Sequence, residues 1–339
     1  MNRMVPDRDA PDLIAAIRRL SRGAVTVIGD AMLDRYIYGT VERVSTEAPI
    51  LVVVEQREVA TPGGAGNVVR NLTAVGAAVA FVSIVGDDQA GSDLTSLIGG
   101  QPGVEPWLLV QGSRTTTVKT RYIADGQQLL RADREETAPI HPKLLDRMMR
   151  IAGDAMAATS VTVLSDYSKG LLAGDMPVQL IALARKSGRM VLVDSRSPDY
   201  TPFAGADLVG PNRRELAAAT GMPVGTTDQI IAAARALQQR LNFGSVLVTR
   251  GSEGMTLLHA GEIHHFPAEA SVVVDLSGVG DTVIATLAAG LAAGLEMPVA
   301  VRLANVAAGI VVGKPGIMTA TQDELVSELS PGRTAAAAL

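Results

Sequence analysis

The sequence predicts an α/β protein: a doubly wound, mainly parallel sheet carrying a small antiparallel β lid. Short β-branched runs alternate along the chain with amphipathic helical patterns, the rhythm of βαβ units. Two stretches, Tyr36–Val59 and Thr115–Asp133, break that rhythm and read as hairpin material. Aromatic residues are only 3% of the chain, so Ala, Val, Leu and Ile must fill the core, as they do around strands buried on both faces.

Core strands are expected at Val25–Ile28, Val79–Ile84, Val161–Leu164, Met190–Val193, Leu208–Val209 and Val246–Thr249. Helices are expected at Ala65–Val75, His141–Ala157, Met176–Lys186, Arg213–Thr220, Asp228–Leu241, Asp281–Leu295 and Val299–Val312. Asp125-Gly126 is a two-residue hairpin signal between Thr116–Ile123 and Gln128–Asp133, a register that sets Arg131 opposite Thr120. The chain reads as one domain over 12–330, with lid strands inserted at about 36–59 and 115–133. Residues 1–11 and 331–339, the latter an Ala-rich run after Pro331, read as flexible tails.

A net charge of −5 with no basic run argues against nucleic acid or an anionic membrane as partner, so an anionic ligand must meet a local site. There is no cysteine, which excludes disulfides and thiolate chemistry. Met1–Asp12 lacks an apolar signal region, and the longest apolar stretch, Val283–Leu295, is too short to span a bilayer. A cytoplasmic protein is expected.

The densest chemical signal is Asp275-Leu276-Ser277-Gly278-Val279-Gly280-Asp281, which follows the strand-like Ser271–Val274 and opens an apolar-periodic helix. Two glycines let successive N–H groups converge, and the helix dipole adds partial positive charge, so the turn can hold a phosphoryl group. Asp281 in the first turn is placed to accept an alcohol proton. The plain alternative is a tight turn with Asp281 capping the helix. A dinucleotide fingerprint fails because Val283 stands at the third glycine position, and a P-loop fails because Gly309–Lys314 has the wrong spacing and is followed by Pro315.

A second glycine element, Gly63-Gly64-Ala65-Gly66-Asn67, opens another helix. Each glycine there costs about 1 kcal/mol relative to Ala, which implies close backbone approach, either to a polyol that Asn67 can bond or to the sheet itself. Upstream, Asp30 and Asp34 follow the strand Val25–Ile28 at the carboxyl edge, where open α/β sheets bind ligands; they are candidates for sugar hydroxyls, with turn capping by Asp30 as the alternative.

These two glycine elements, with Asn212-Arg213-Arg214-Glu215 and Thr249-Arg250-Gly251, closely resemble the ribokinase or PfkB family of carbohydrate kinases from Val25 to about Gly316. Leu276 and Val279 replace the family's usual Thr and Ala in its second signature. The resemblance implies a ribokinase-like fold and ATP-dependent sugar phosphorylation, with Asp281 as base and the N–H groups of Gly278, Val279 and Gly280 as anion hole. It implies that Asn212 and Glu215 organise Mg²⁺ and its waters, although the pair also reads as a capping box. It sets Thr249, Arg250, Gly251, Gly254 and Asn305, with the Gly309–Gly313 segment, on the nucleotide side. The Asp275 carbonyl and the Lys314-Pro315-Gly316 loop are candidates for K⁺.

Within the family, Val27–Tyr36, Arg43–Pro49, Lys119–Tyr122 and Ser165–Gly170 resemble the D-glycero-β-D-manno-heptose 7-phosphate kinases, which phosphorylate the anomeric hydroxyl on the way to ADP-heptose and lipopolysaccharide core. Other sugar phosphates, ribose or a nucleoside are the alternative substrates, and a nucleotide-responsive sugar-binding protein is the non-enzymatic alternative. A substrate phosphate needs fixed cations. Lys119 and Arg121, two apart on one expected strand, share a lid face and are favoured over Arg131, with Lys169 within reach of substrate or ATP; an ordinary solvated charge is the alternative for each. The resemblance further implies a homodimer through the lids. The chain lacks the His-x-Gly-His element of a fused nucleotidyltransferase, so a separate adenylyltransferase is expected as the pathway partner.

Overall fold

The computed structural model describes residues 2–4, 10–270 and 272–330. Its strands are β1 (Asn2–Met4), β2 (Ala24–Gly29), β3 (Ala31–Val44), β4 (Leu51–Gly64), β5 (Ala78–Gly86), β6 (Val104–Gln111), β7 (Val118–Ala124), β8 (Gln127–Arg134), β9 (Val161–Asp166), β10 (Met190–Ser195), β11 (Leu208–Val209), β12 (Ser245–Thr249), β13 (Met255–His259) and β14 (Glu262–Phe266). Its helices are α1 (Ala10–Arg19), α2 (Ala65–Ala74), α3 (Gln89–Gly99), α4 (Pro142–Ala158), α5 (Met176–Lys186), α6 (Arg213–Thr220), α7 (Thr227–Leu241), α8 (Val279–Ala292), α9 (Met297–Val312) and α10 (Gln322–Leu329).

Ten strands form one sheet in the order β1-β14-β13-β12-β11-β10-β9-β2-β5-β6, parallel from β12 to β6. Strand pleating splits the core into two layers. Val25, Val27 and Phe81 pack with Leu72 of α2, Leu287 of α8 and Leu303 of α9. Ile28, Val82 and Leu164 pack on the other face with Met148 of α4, Leu180 of α5 and Leu237 of α7. From β2 the chain winds outward through β5 and β6, then returns to place β9 on the other side, so β2 and β9 flank a topological switch point.

The lid is a separate four-stranded sheet, β4-β3-β7-β8, made of two antiparallel hairpins joined by parallel pairing of β3 with β7. Asp30 alone separates β3 from β2, so the lid rises directly from the sheet's mouth. Asp125 and Gly126, both at positive φ, close the β7–β8 turn as the sequence predicts.

Three expectations need correction. Arg131 pairs opposite Arg121, not Thr120, because a bulge between Tyr122 and Ile123 leaves Leu129 without a partner and slips the register by one. Lys119, Arg121 and Arg131 therefore share a lid face. Val272–Val274 is not a strand: these valines are exposed, and the N–H groups of Val274 and Asp275 bond the Val312 carbonyl at the end of α9. The sheet edge at β14, where another strand could add, is taken by β1. That same pairing puts Asn2–Met4, expected in a flexible tail, into the sheet as an edge strand. The expected tail 331–339 lies outside the described residues, as does Ser271.

Candidate active site

At the head of α8, Gly278 takes the left-handed conformation (φ 77°, ψ 4°) as N-cap and offers no side-chain bond, leaving the first-turn N–H groups to an external acceptor. Asp275 fixes the approach to this turn: Oδ1 accepts from Ser277 N at 2.8 Å and Oδ2 from Gly316 N at 3.1 Å. That bond also brings the two segments expected to hold K⁺ together.

Asp281 sits in the helix's first turn and is 3% exposed. Asn67 Nδ2 donates to its Oδ2 at 2.7 Å, and the Tyr167 phenol donates to its Oδ1 at 2.5 Å. Arg196 Nη2 lies 3.7 Å from Oδ1. Burial pushes the carboxyl up to about 6, against the pull of Arg196 and the two hydrogen bonds. Burial likewise raises Asp194 and Glu215, which also share Arg196. Such a carboxylate is ionised at neutral pH yet close enough to titration to take a proton.

Helix α2, packed beside α8 on one face of the sheet, delivers Asn67. Gly64, at φ 57°, lies against the Asp30 carbonyl, and a Cβ on Gly63 would overlap the Asp34 carboxylate. Gly66 packs on Pro62, where a Cβ would come within 2.9 Å. The glycine run thus satisfies close packing of helix, lid strand and site at once. Asn71 Oδ1 accepts from Thr282 Oγ1 at 2.8 Å, a buried bond that ties α2 to α8.

Asp30 is spent on the protein. Its oxygens accept from Tyr167 N at 2.9 Å, Lys169 N at 3.0 Å and Leu171 N at 3.2 Å, so it shapes the loop after β9 while lining a small cavity there. Asp34, also buried, is bonded by the Arg121 guanidinium, which lies 5.2 Å from the Tyr36 ring centroid. Lys119 bonds Asp133 at 2.8 Å, Arg131 bonds the same carboxylate at 2.9 Å, and Glu135 links Lys119 at 3.6 Å to Lys169 at 2.8 Å. Three cations and two acids are thus linked in one network, and Arg121 with Asp34 forms a separate pair beside it.

Of the residues expected on the nucleotide side, Asn212 and Glu215 form a full capping box at α6, with Asn212 Oδ1 accepting from Glu215 N at 2.9 Å and Glu215 Oε2 from Asn212 N at 2.8 Å. Asn212 is bridged to Thr249 at the end of β12. Arg250 is buried and bonds Thr227, Thr256 and Glu253, and Asn305 bonds the Pro267 carbonyl at 2.7 Å. Both spend these donors on the scaffold rather than facing open space. Gly251 and Gly254 take positive φ in the turn after β12, and a Cβ on Gly254 would overlap the Phe266 carbonyl. Among the described residues, no three His, Asp or Glu side chains gather to hold a metal directly.

Three site members were not assigned from sequence: Tyr167, Asp194 and Arg196. Their one local signal is position, at or just past the carboxyl ends of β9 and β10.

The profile of the pfkB family carbohydrate kinases matches residues 23–324. The chain is 58% identical over 96% of its length to a bifunctional protein HldE of Acidiphilium cryptum, covering 67% of that protein. It is 53% identical over 94% of its length to a bifunctional protein HldE of Paramagnetospirillum magneticum, covering 65%. The chain thus spans about two thirds of the length of the curated relatives it matches. Among solved structures, Arabidopsis thaliana ribokinase complexed with ribose and ATP superposes with a TM-score of 0.72 at 22% identity, over 91% of this chain and 99% of that one, a likeness of fold.

Proposed function

The chain belongs to the pfkB family of carbohydrate kinases and is an ATP-using sugar kinase, and from that premise we propose that it phosphorylates the anomeric hydroxyl of D-glycero-β-D-manno-heptose 7-phosphate. One observation carries the chemistry: a buried carboxylate, Asp281, held by Asn67 and Tyr167 beside the open amides of the α8 turn. The lid motifs that resemble heptose 7-phosphate kinases, together with 58% identity to a bifunctional HldE protein, favour the heptose over other sugars.

In the proposed reaction Asp281 takes the hydroxyl proton, and the sugar oxygen bonds to the γ-phosphorus. The β–γ bridging P–O bond breaks with its electron pair leaving on ADP. The N–H groups of Gly278, Val279 and Gly280 face the transferring phosphoryl group. The substrate's 7-phosphate is assigned to Lys119 and Arg121, with Lys169 beside them. Arg131 joins this group, because it shares their face and the Asp133 carboxylate.

Mg²⁺, where bound, neutralises phosphate charge. Glu215, with Asn212 beside it, would hold the waters of such an ion through carboxylate oxygens that here accept from Arg196 and from the Asn212 N–H. K⁺ is assigned to the Asp275 carbonyl and the 314–316 loop. Product would pass to an adenylyltransferase activity. Product identification by phosphorus NMR tests the assignment: a new anomeric phosphate on heptose 7-phosphate is expected, and turnover of fructose 6-phosphate with none of the heptose would overturn the substrate.

A further inference from the structure

Arg196 follows the last residue of β10 and reaches across the mouth of the sheet. Nη2 lies 3.3 Å from Asp194 Oδ2 and 3.7 Å from Asp281 Oδ1, and Nη1 lies 3.2 Å from Glu215 Oε1. Its guanidinium carbon is 5.3 Å from the Tyr167 ring centroid. A Cβ on Gly280 would stand 3.0 Å from Nη2, so the guanidinium also rests against the first turn of α8. One cation therefore meets the base, the acid beside the nucleotide and the phosphoryl-binding turn. Lys119, Arg121 and Lys169 instead pair with the acids Asp133, Asp34 and Glu135.

We propose that Arg196 is a catalytic residue whose guanidinium binds the γ-phosphoryl oxygens while that group moves from ATP to the sugar. The inference rests on the kinase reading of the site. Arg196 exchanges no atom: the hydroxyl proton goes to Asp281, the new O–P bond forms to the sugar, and the departing electron pair goes to ADP. Its side chain is 33% exposed, so an entering anion can reach it. The contact to Asp281 is longer than a hydrogen bond, and the guanidinium has five N–H donors, more than its two carboxylate bonds use. A triphosphate entering among Asp194, Glu215 and Asp281 meets three acids, and Arg196 is the fixed charge that offsets them.

The test uses the full chain, with R196A and R196Q measured beside wild type on heptose 7-phosphate and ATP. A fall in kcat of about a hundred- to a thousand-fold is expected, with KM for the sugar within about threefold. Affinity for ADP should hold, whereas affinity for ADP with aluminium fluoride and sugar, a mimic of the transferring group, should fall by a factor comparable to kcat. Added guanidinium ion should restore part of the R196A rate. A folded R196Q with wild-type kcat overturns the inference, and so does equal weakening of ADP and of the fluoride complex, the mark of a structural clamp. Loss of R196A to misfolding leaves R196Q to decide. Inactive wild type on every sugar phosphate tried would overturn the kinase substrate reading instead.

Discussion

Tyr167, at the end of β9, donates its phenolic O–H to Asp281, in the first turn of α8, across 2.5 Å. Burial and the neighbouring Asp281 charge raise the phenol well above its ordinary range, so it remains a donor at any working pH. The bond favours the ionised carboxylate and holds Asp281 down against its burial.

Removing that hydroxyl should therefore raise the Asp281 carboxyl further above 6. In Y167F the acid limb of the kcat/KM profile is expected to move up by about one to two pH units, from the 1.5–3 kcal/mol of a hydrogen bond to a charged group. Activity near pH 8 should fall much less than activity near pH 6. A limb that stays at its wild-type position would show that Tyr167 does not govern the base.

Asp281 itself makes a paired prediction. Its folded-state carboxyl lies above the ordinary 3.8, at about 6, so the folded protein holds the proton more tightly than the unfolded chain between those values. Stability thus declines as pH rises through that window, and the cost is complete above it, on the order of 3 kcal/mol. D281N should abolish turnover, retain ATP binding, and unfold at higher denaturant than wild type at pH 8. At pH 4 the difference should shrink. Denaturant titration at the two pH values checks it, and a gap that is equal at both would remove the titration argument.

The α/β rhythm was readable because each strand and helix carries its own period, and the glycine turns were readable because left-handed backbone, as at Gly64 and Gly278, demands glycine. Val272–Val274 misled because β-branched composition speaks of propensity, whereas a strand needs a partner, and the β14 edge already has one. Arg131 misled because nothing local announces that Leu129 will bulge. Asp30, Arg250 and Asn305 resemble ligands in sequence, yet their bonds go to protein groups brought near only by folding. Tyr167, Asp194 and Arg196 meet because β9 and β10 lie side by side in a parallel crossover, a non-local relation with no local signature.

Arg121 and Lys119 should separate stability from binding. Arg121 pairs with Asp34, which is 2% exposed, so R121A leaves a buried carboxylate without its cation and is expected to cost about 3–5 kcal/mol. Lys119 joins the more open Asp133 and Glu135, and K119A should cost less than about 1 kcal/mol while raising KM for the sugar phosphate far more than for ATP. Thermal unfolding and initial rates on both variants check this. Equal changes in the two KM values for K119A would take Lys119 out of the phosphate site.

Gly278 gives the sharpest steric prediction, because two demands fall on one residue. At φ 77° an added Cβ is strained on backbone grounds, on the order of 1–3 kcal/mol. It would also stand 2.7 Å from Asn67 Nδ2 and 3.0 Å from an Ile317 methyl, so Asn67 must withdraw from Asp281. G278A should accordingly lose kcat by about a hundred-fold or more, since it disturbs both the turn's amides and the base's partner. N67A removes only the partner and leaves the turn intact, so it should lose less. Rates of the two variants at one pH, read beside their unfolding midpoints, decide the matter: N67A falling as far as G278A would assign the whole effect to Asn67 and none to the amides of the turn.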